Sequence, residues 1–157
     1  MNLETVLINS LWAALFAAAM TVIFSAPLWA LAPSFLSGFG ARFVRDVLIG
    51  AGVGPNLAIL IAATLAVSLS VGLIRRRAVA PVIVVSGLIP LGAATAFLRG
   101  VVGLLKMSSL EGVALSEASV LVMSNFAIGF NTTLVIAMGF WLGIALVGLL
   151  GKKWATC

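Results

Sequence analysis

Four long apolar runs leave this chain few folds to adopt. They cover about residues 6–31, 56–74, 79–98 and 120–150, and each reaches about the twenty residues that a helix needs to cross roughly 30 Å of hydrocarbon. Backbone groups in hydrocarbon must bond to one another, so such runs predict helices. The composition agrees, because 63% of the residues are hydrophobic and 8% are charged, with a mean hydropathy of +1.30.

These runs predict an all-α integral membrane protein. We expect a polytopic bundle of four transmembrane helices, with five as the alternative, in one domain over residues 1–157. The last run is about thirty residues long, so its helix should tilt, kink or begin outside the hydrocarbon.

The segment at about residues 38–50 is too short and too charged to span. Phe39, Phe43 and Val47 recur every four residues, while Arg42 and Asp46 form an i,i+4 pair on another face. This spacing predicts an amphipathic helix in the membrane interface. A solvated loop is the alternative.

The positive charges lie at the ends of the apolar runs, and the formal net charge is +5. This placement argues against nucleic-acid binding and favours a role in orientation. Arg75, Arg76 and Arg77 place their short loop in the cytoplasm, so four spans would put both termini there, in a bacterial inner membrane. The bias is weak, because five basic residues then face inward and four face outward.

Several kinds of catalytic chemistry are absent from the sequence. It has no histidine, no phosphate-binding GxxxxGK[ST] loop and only four scattered acidic residues. We therefore expect no enzymatic activity, no cofactor and no metal site.

The stretch SGLIPLGAATAF, residues 86–97, is predicted to be a deliberately broken helix. Pro90 leaves the carbonyl of Ser86 without its helical donor, and small residues make room beside it. A free carbonyl at membrane depth can bind an ion or an ammonium group. The alternative is a packing kink.

Polar residues at membrane depth predict a substrate path, because each costs free energy unless it has a partner. For Asn125 and Asn131, a hydrogen bond between helices explains their position as well as a contact with substrate does. The predicted path consists of Ser86, Pro90, Thr95, Asn125, Asn131 and Thr132. A charged mouth or coupling group is predicted at Arg42, Asp46, Arg99, Lys106 and Glu117. Glu117 is the favoured coupling acid, although a solvated loop acid is the commoner explanation.

Small residues at four-residue spacing predict close helix packing. They occur at Ala62, Ala66 and Ser70, and again at Gly139 and Gly143. Four such helices would hardly enclose a path alone, so a partner subunit or a homo-oligomer is expected.

Four short motifs in order resemble the small membrane subunit of the threonine/serine exporter family (ThrE type). They are GFGAR at 38–42, SGLIP at 86–90, KMSSLEG at 106–112 and SNF at 124–126. The matching positions are Gly38, Gly40, Arg42, Pro90, Lys106 and Asn125. Phe39 stands where members often have histidine, and Ala93-Ala94 where they often have a second Pro-Gly, so proton coupling and unwinding should differ here.

The resemblance implies proton-driven export of threonine and serine, or of small dicarboxylates such as succinate, together with a larger membrane subunit. Two other functions remain open. One is a non-transporting assembly or stabilising subunit, whose polar residues only join helices. The other is a small homo-oligomeric channel, which would conduct without a partner.

Overall fold

The computed structural model describes residues 3–73, 80–109 and 111–154, and all regular structure in these ranges is helical. The α-helices are α1 Leu3–Ile23, α2 Leu31–Gly50, α3 Pro55–Leu73, α4 Ala80–Leu88, α5 Ala93–Met107 and α6 Gly112–Trp154. A short 3-10 helix at Leu28–Ala30 precedes α2, and another at Ile89–Leu91 follows α4. Arg75, Arg76 and Arg77, the predicted orientation signal, lie outside the described residues.

Two helices in the described ranges, α1 and α6, are long and apolar enough to cross a membrane. The segments Pro81–Leu91 and Ala94–Met107 add a third crossing if they form one broken span. The predicted second span coincides with α3, whose stretch Pro55–Val71 is apolar but shorter. The helical membrane class is therefore supported. By length and composition, two or at most three of the four predicted spans qualify among the described residues.

The first predicted span was too long, since α1 ends at Ile23 rather than at about residue 31. Ser25 has a left-handed φ of 54°, and Pro27 follows with extended backbone. Proline disfavours helical backbone in the residue before it and supplies no N–H, so the helix cannot continue here. Trp29 consequently lies in a 3-10 helix after the end of α1.

The segment predicted to form an interfacial helix is helical, but the helix begins at Leu31 instead of about residue 38. Pro33 is tolerated because it lies in the first turn, where backbone N–H groups have no intrahelical partner. The rings of Phe39 and Phe43 stack at 5.9 Å, as their spacing predicted. The opposite face carries buried small residues, so α2 also packs against other helices.

The last helix also begins earlier than predicted, at Gly112 rather than at about residue 120, and it is 43 residues long. The polar section before the last apolar run is therefore largely helical. A short connection between α5 and α6 interrupts it. The helix is thus longer than the predicted run, and its expected tilt, kink or start outside the hydrocarbon stays a prediction.

The chain divides into two compact units. Unit 1 comprises α1 to α4, the 3-10 turn ending at Leu91, and α6 from Val135 onward; unit 2 comprises residues 92–134. Most buried apolar residues of the described chain are alanines, whereas large side chains such as Trp12, Phe16 and Trp141 are exposed. This is the arrangement expected in lipid, where small residues let helices approach closely.

Unit 1 is packed through small residues. A Cβ at Gly38 of α2 would lie 2.6 Å from the Cβ of Ala17 in α1. Likewise, a Cβ at Gly139 of α6 would lie 2.7 Å from Ala63 Cβ in α3. Gly143 meets Val67 in the same way. The predicted small residues of α6 therefore do contact α3. The contact lies on Ala63 and Val67, however, and not on the predicted α3 face of Ala62, Ala66 and Ser70.

Unit 2 is an antiparallel hairpin of α5 and the first half of α6. The phenyl ring of Phe126 lies over Gly100, and the ring of Phe97 lies over Gly129. The two rings are 6.1 Å apart and tilted. Each glycine thus makes the space that a phenylalanine of the other helix fills.

Candidate functional site: an arginine cluster beside a helix break

The helix break lies where the sequence predicted it. Helix α4 ends at Leu88, residues 89–91 form a 3-10 turn, and α5 begins only at Ala93. Gly92 joins them with a φ of 113°, a conformation that side chains with a Cβ rarely adopt. Pro90 lacks the backbone N–H that a helix needs, and Gly92 has a non-helical φ. Both residues therefore interrupt the helix.

Arg42 joins α2 to this turn. Its Nη1 donates to the carbonyl oxygen of Pro90 at 3.3 Å, and its Nε donates to Asp46 Oδ2 at 2.8 Å. The predicted i,i+4 pair of Arg42 and Asp46 is confirmed. The carbonyl that finds a side-chain partner is that of Pro90 itself, whereas the sequence had pointed to the carbonyl of Ser86.

Arg45 is the residue that the sequence reading missed. Its Nε is 4.0 Å from Asp46 Oδ1, within ion-pair range but too long for a hydrogen bond. Both Nε and Nη1 of Arg45 are buried without a hydrogen-bond partner among the described residues. Burial lowers the pKa of Arg45, the positive charge of Arg42 lowers it further, and Asp46 acts in the opposite direction.

Two guanidinium groups therefore share one carboxylate. A guanidinium group keeps its proton in proteins, so the cluster carries a surplus positive charge. Donors that are buried and unpaired are costly to maintain. The signal in the sequence was the spacing R-x-x-R-D, which places two arginines around a single aspartate.

Serine hydroxyls form a second buried polar group in unit 1. Ser70 Oγ of α3 donates to Ser37 Oγ of α2 at 3.1 Å. Ser34 and Ser86 are fully buried, and their hydroxyl groups have no partner among the described residues. Gly87 lets α4 approach α2 closely, because a Cβ at Gly87 would lie 2.9 Å from Ser37 Cβ. Ser86, a predicted path residue, thus lies one turn before Pro90 with an unused hydroxyl.

The other predicted path residues belong to unit 2, and two of them bond locally. Thr95 Oγ1 donates to the carbonyl of Gly92 at 2.8 Å, and Asn125 Nδ2 donates to that of Leu121 at 3.0 Å. Thr132 is buried and Asn131 is exposed. The amide of Asn125 therefore bonds within its own helix.

The remaining predicted charges, Arg99, Lys106 and Glu117, are exposed residues of unit 2. Of the predicted mouth residues, direct contacts join Arg42 and Asp46, and Arg42 also reaches the predicted path residue Pro90. Within the described ranges, no group of three or more histidine, cysteine or acidic side chains is placed to hold a metal ion.

Comparisons of this chain with family models, with curated proteins and with solved structures found no match.

Proposed function

We propose that this protein is a subunit of a secondary transporter that exports small polar metabolites, driven by protons. The substrates would be threonine and serine, or small dicarboxylates such as succinate. The protein would cross the bacterial inner membrane four times, with both termini in the cytoplasm, and work with a larger membrane subunit or as a homo-oligomer. It would need no catalytic residue and no cofactor.

The observation that carries this proposal is the arginine cluster (Arg42, Arg45 and Asp46) against the broken helix. Charged groups packed among the helices of a membrane protein are costly, so they are usually functional. Helix breaks in transporters expose backbone carbonyls to the solute. The cluster and the adjoining turn at Pro90 together supply both kinds of group within unit 1.

The chemistry of these groups suits a small carboxylic acid. Guanidinium donors bind a carboxylate, while the Ser86 hydroxyl and the carbonyl groups of the turn accept hydrogen bonds from an ammonium or a hydroxyl group. Threonine and serine carry all three groups, and succinate carries two carboxylates. For proton coupling, Asp46 is already paired with Arg42, so Glu117 stays the proposed acid.

The test is efflux of labelled serine, threonine and succinate from vesicles, with and without an imposed proton gradient. The vesicles hold this chain alone or with a candidate larger subunit. We expect saturable, gradient-dependent efflux only with both chains, and at least a tenfold loss in Arg42→Gln. A matched control is Thr5→Glu, which lowers the net charge by the same amount at an exposed position at the start of α1.

The two competing functions give different results in the same vesicles. Flux through the chain alone that neither saturates nor needs a gradient would indicate a channel. No efflux from a folded, assembled complex would favour an assembly subunit and contradict the proposal for these substrates.

A further inference from the structure

The geometry points to Arg45 as the residue that binds an oxyanion at the arginine cluster, either a carboxylate of the transported solute or the phosphate of an anionic lipid. This inference rests on the proposed function only for the identity of the solute. The need for an anion follows from the bonding of the cluster itself.

The donors of Arg42 are already engaged on two sides. Its Nε bonds to Asp46 and its Nη1 bonds to the Pro90 carbonyl. Arg42 is therefore fixed between its own helix and the turn after α4. It is a positioning residue, because two of its five N–H groups already bond to groups of the protein.

Buried donors of Arg45, in contrast, lack acceptors among the described residues. Two of its nitrogen atoms are buried and unpaired in the described chain, and the nearest carboxylate oxygen is 4.0 Å from Nε. Its side chain is still 19% exposed, so part of it can be reached from outside the packed helices. A group that can be approached and whose buried donors lack acceptors is suited to bind a ligand.

The ligand that fits is an oxyanion. A guanidinium group has only donors and a permanent positive charge, and its planar array matches the paired oxygens of a carboxylate or a phosphate. Asp46 neutralises one of the two arginines, so one more negative charge would balance the cluster. A ligand without an anionic group would leave the surplus charge unbalanced.

The experiment measures binding without transport. The purified chain is placed in nanodiscs of neutral phosphatidylcholine, and succinate binding is followed by calorimetry and by the shift in thermal unfolding. We expect saturable binding by the wild-type protein and by Thr5→Glu. We expect at least a tenfold weaker affinity in Arg45→Gln, and several-fold weaker in Arg45→Lys, since a single ammonium cannot replace two fixed donors.

Nanodiscs containing phosphatidylglycerol separate the two sources of the oxyanion. If the anionic lipid raises the thermal stability of the wild type but not of Arg45→Gln, and abolishes succinate binding, the phosphate of the lipid is the natural ligand. If it leaves succinate binding unchanged, the solute is the ligand.

The inference is overturned if neither succinate nor the anionic lipid interacts with the wild type, or if Arg45→Lys binds as the wild type does. Arg45→Lys keeps the charge, so it serves as the decisive variant if Arg45→Gln does not fold. Binding that depends on Arg45 without efflux in the reconstituted system would refute the transport proposal and leave this site intact.

Discussion

At the scale of single residues, Gly38 and Gly40 have opposite surroundings although they are two positions apart in α2. A Cβ at Gly38 would lie 2.6 Å from Ala17 Cβ and 3.0 Å from the Ala13 carbonyl oxygen. A Cβ at Gly40 would meet nothing within 4 Å. Both glycines belong to the GFGAR motif, so the motif alone does not tell which of them the fold requires.

We predict that Gly38→Ala destabilises the protein by about 1–3 kcal/mol, because the added methyl group overpacks the contact with α1. Gly40→Ala should be neutral or stabilising by up to about 1 kcal/mol, since alanine is the better helix former. Thermal unfolding in detergent, with both variants side by side, checks this. Equal midpoints for the two variants would contradict the packing of α1 on α2.

At the scale of elements, the break between α4 and α5 depends on two residues with different effects. Pro90 removes one backbone donor, which a 3-10 turn accommodates. Gly92 adopts a φ of 113°, which only glycine adopts without strain. The sequence assigned the break to Pro90. The structure adds Gly92, which also interrupts the helix.

We predict that Gly92→Ala destabilises the protein by about 1–2 kcal/mol, because a Cβ is strained in left-handed backbone. Pro90→Ala should have a smaller effect, since its carbonyl is retained and Arg42 can still donate to it. The measurement is the unfolding midpoint of each variant. Gly148→Ala, which meets nothing within 4 Å, is the control. A larger loss in Pro90→Ala than in Gly92→Ala would show that proline, not glycine, maintains the break.

At the scale of the whole molecule, the helices of the two units pack through different kinds of residue. Unit 1 uses alanine, serine and glycine, which bring helices close enough for hydroxyl groups to bond across them. Unit 2 fits two phenyl rings over two glycines. Only unit 1 has, among the described residues, charged side chains that bond to each other. The proposed binding chemistry therefore belongs to unit 1.

The four-span topology predicts the side of the membrane on which each connection lies. Cys157 is the only cysteine, so its labelling by an impermeant maleimide in intact bacterial cells reports the C-terminus. We expect no labelling of Cys157 until the cells are permeabilised. In a Cys157→Ser background, Ala51→Cys and Ser109→Cys should both be labelled from outside.

The same experiment separates a broken span from a re-entrant loop. If α4 and α5 enter and leave the membrane on the same side, Ser109→Cys is protected, while Ala51→Cys and the native Cys157 are labelled. That result would reduce the count to three crossings and place the C-terminus outside.

The candidate site could be predicted only in part. The pairing of Arg42 with Asp46 and the break at Pro90 are local, since they follow from residues within one turn of each other. The contact between Arg42 and the Pro90 carbonyl joins positions 48 apart, and no local pattern specifies it. Arg45 was overlooked for the same reason, because its unpaired donors become evident only once its neighbours are known.

The sequence by itself determined the helical class, the existence of the helices although not their bounds, and the position of the break. Hydrophobic length, proline and glycine act on the backbone locally, so these features need no knowledge of the partners. Only the tertiary structure decided which of the small and polar residues face another helix. A glycine or a serine has the same local preferences whether it faces lipid or a neighbouring helix, and Gly38, Ser37 and Arg45 acquire their roles from what packs against them.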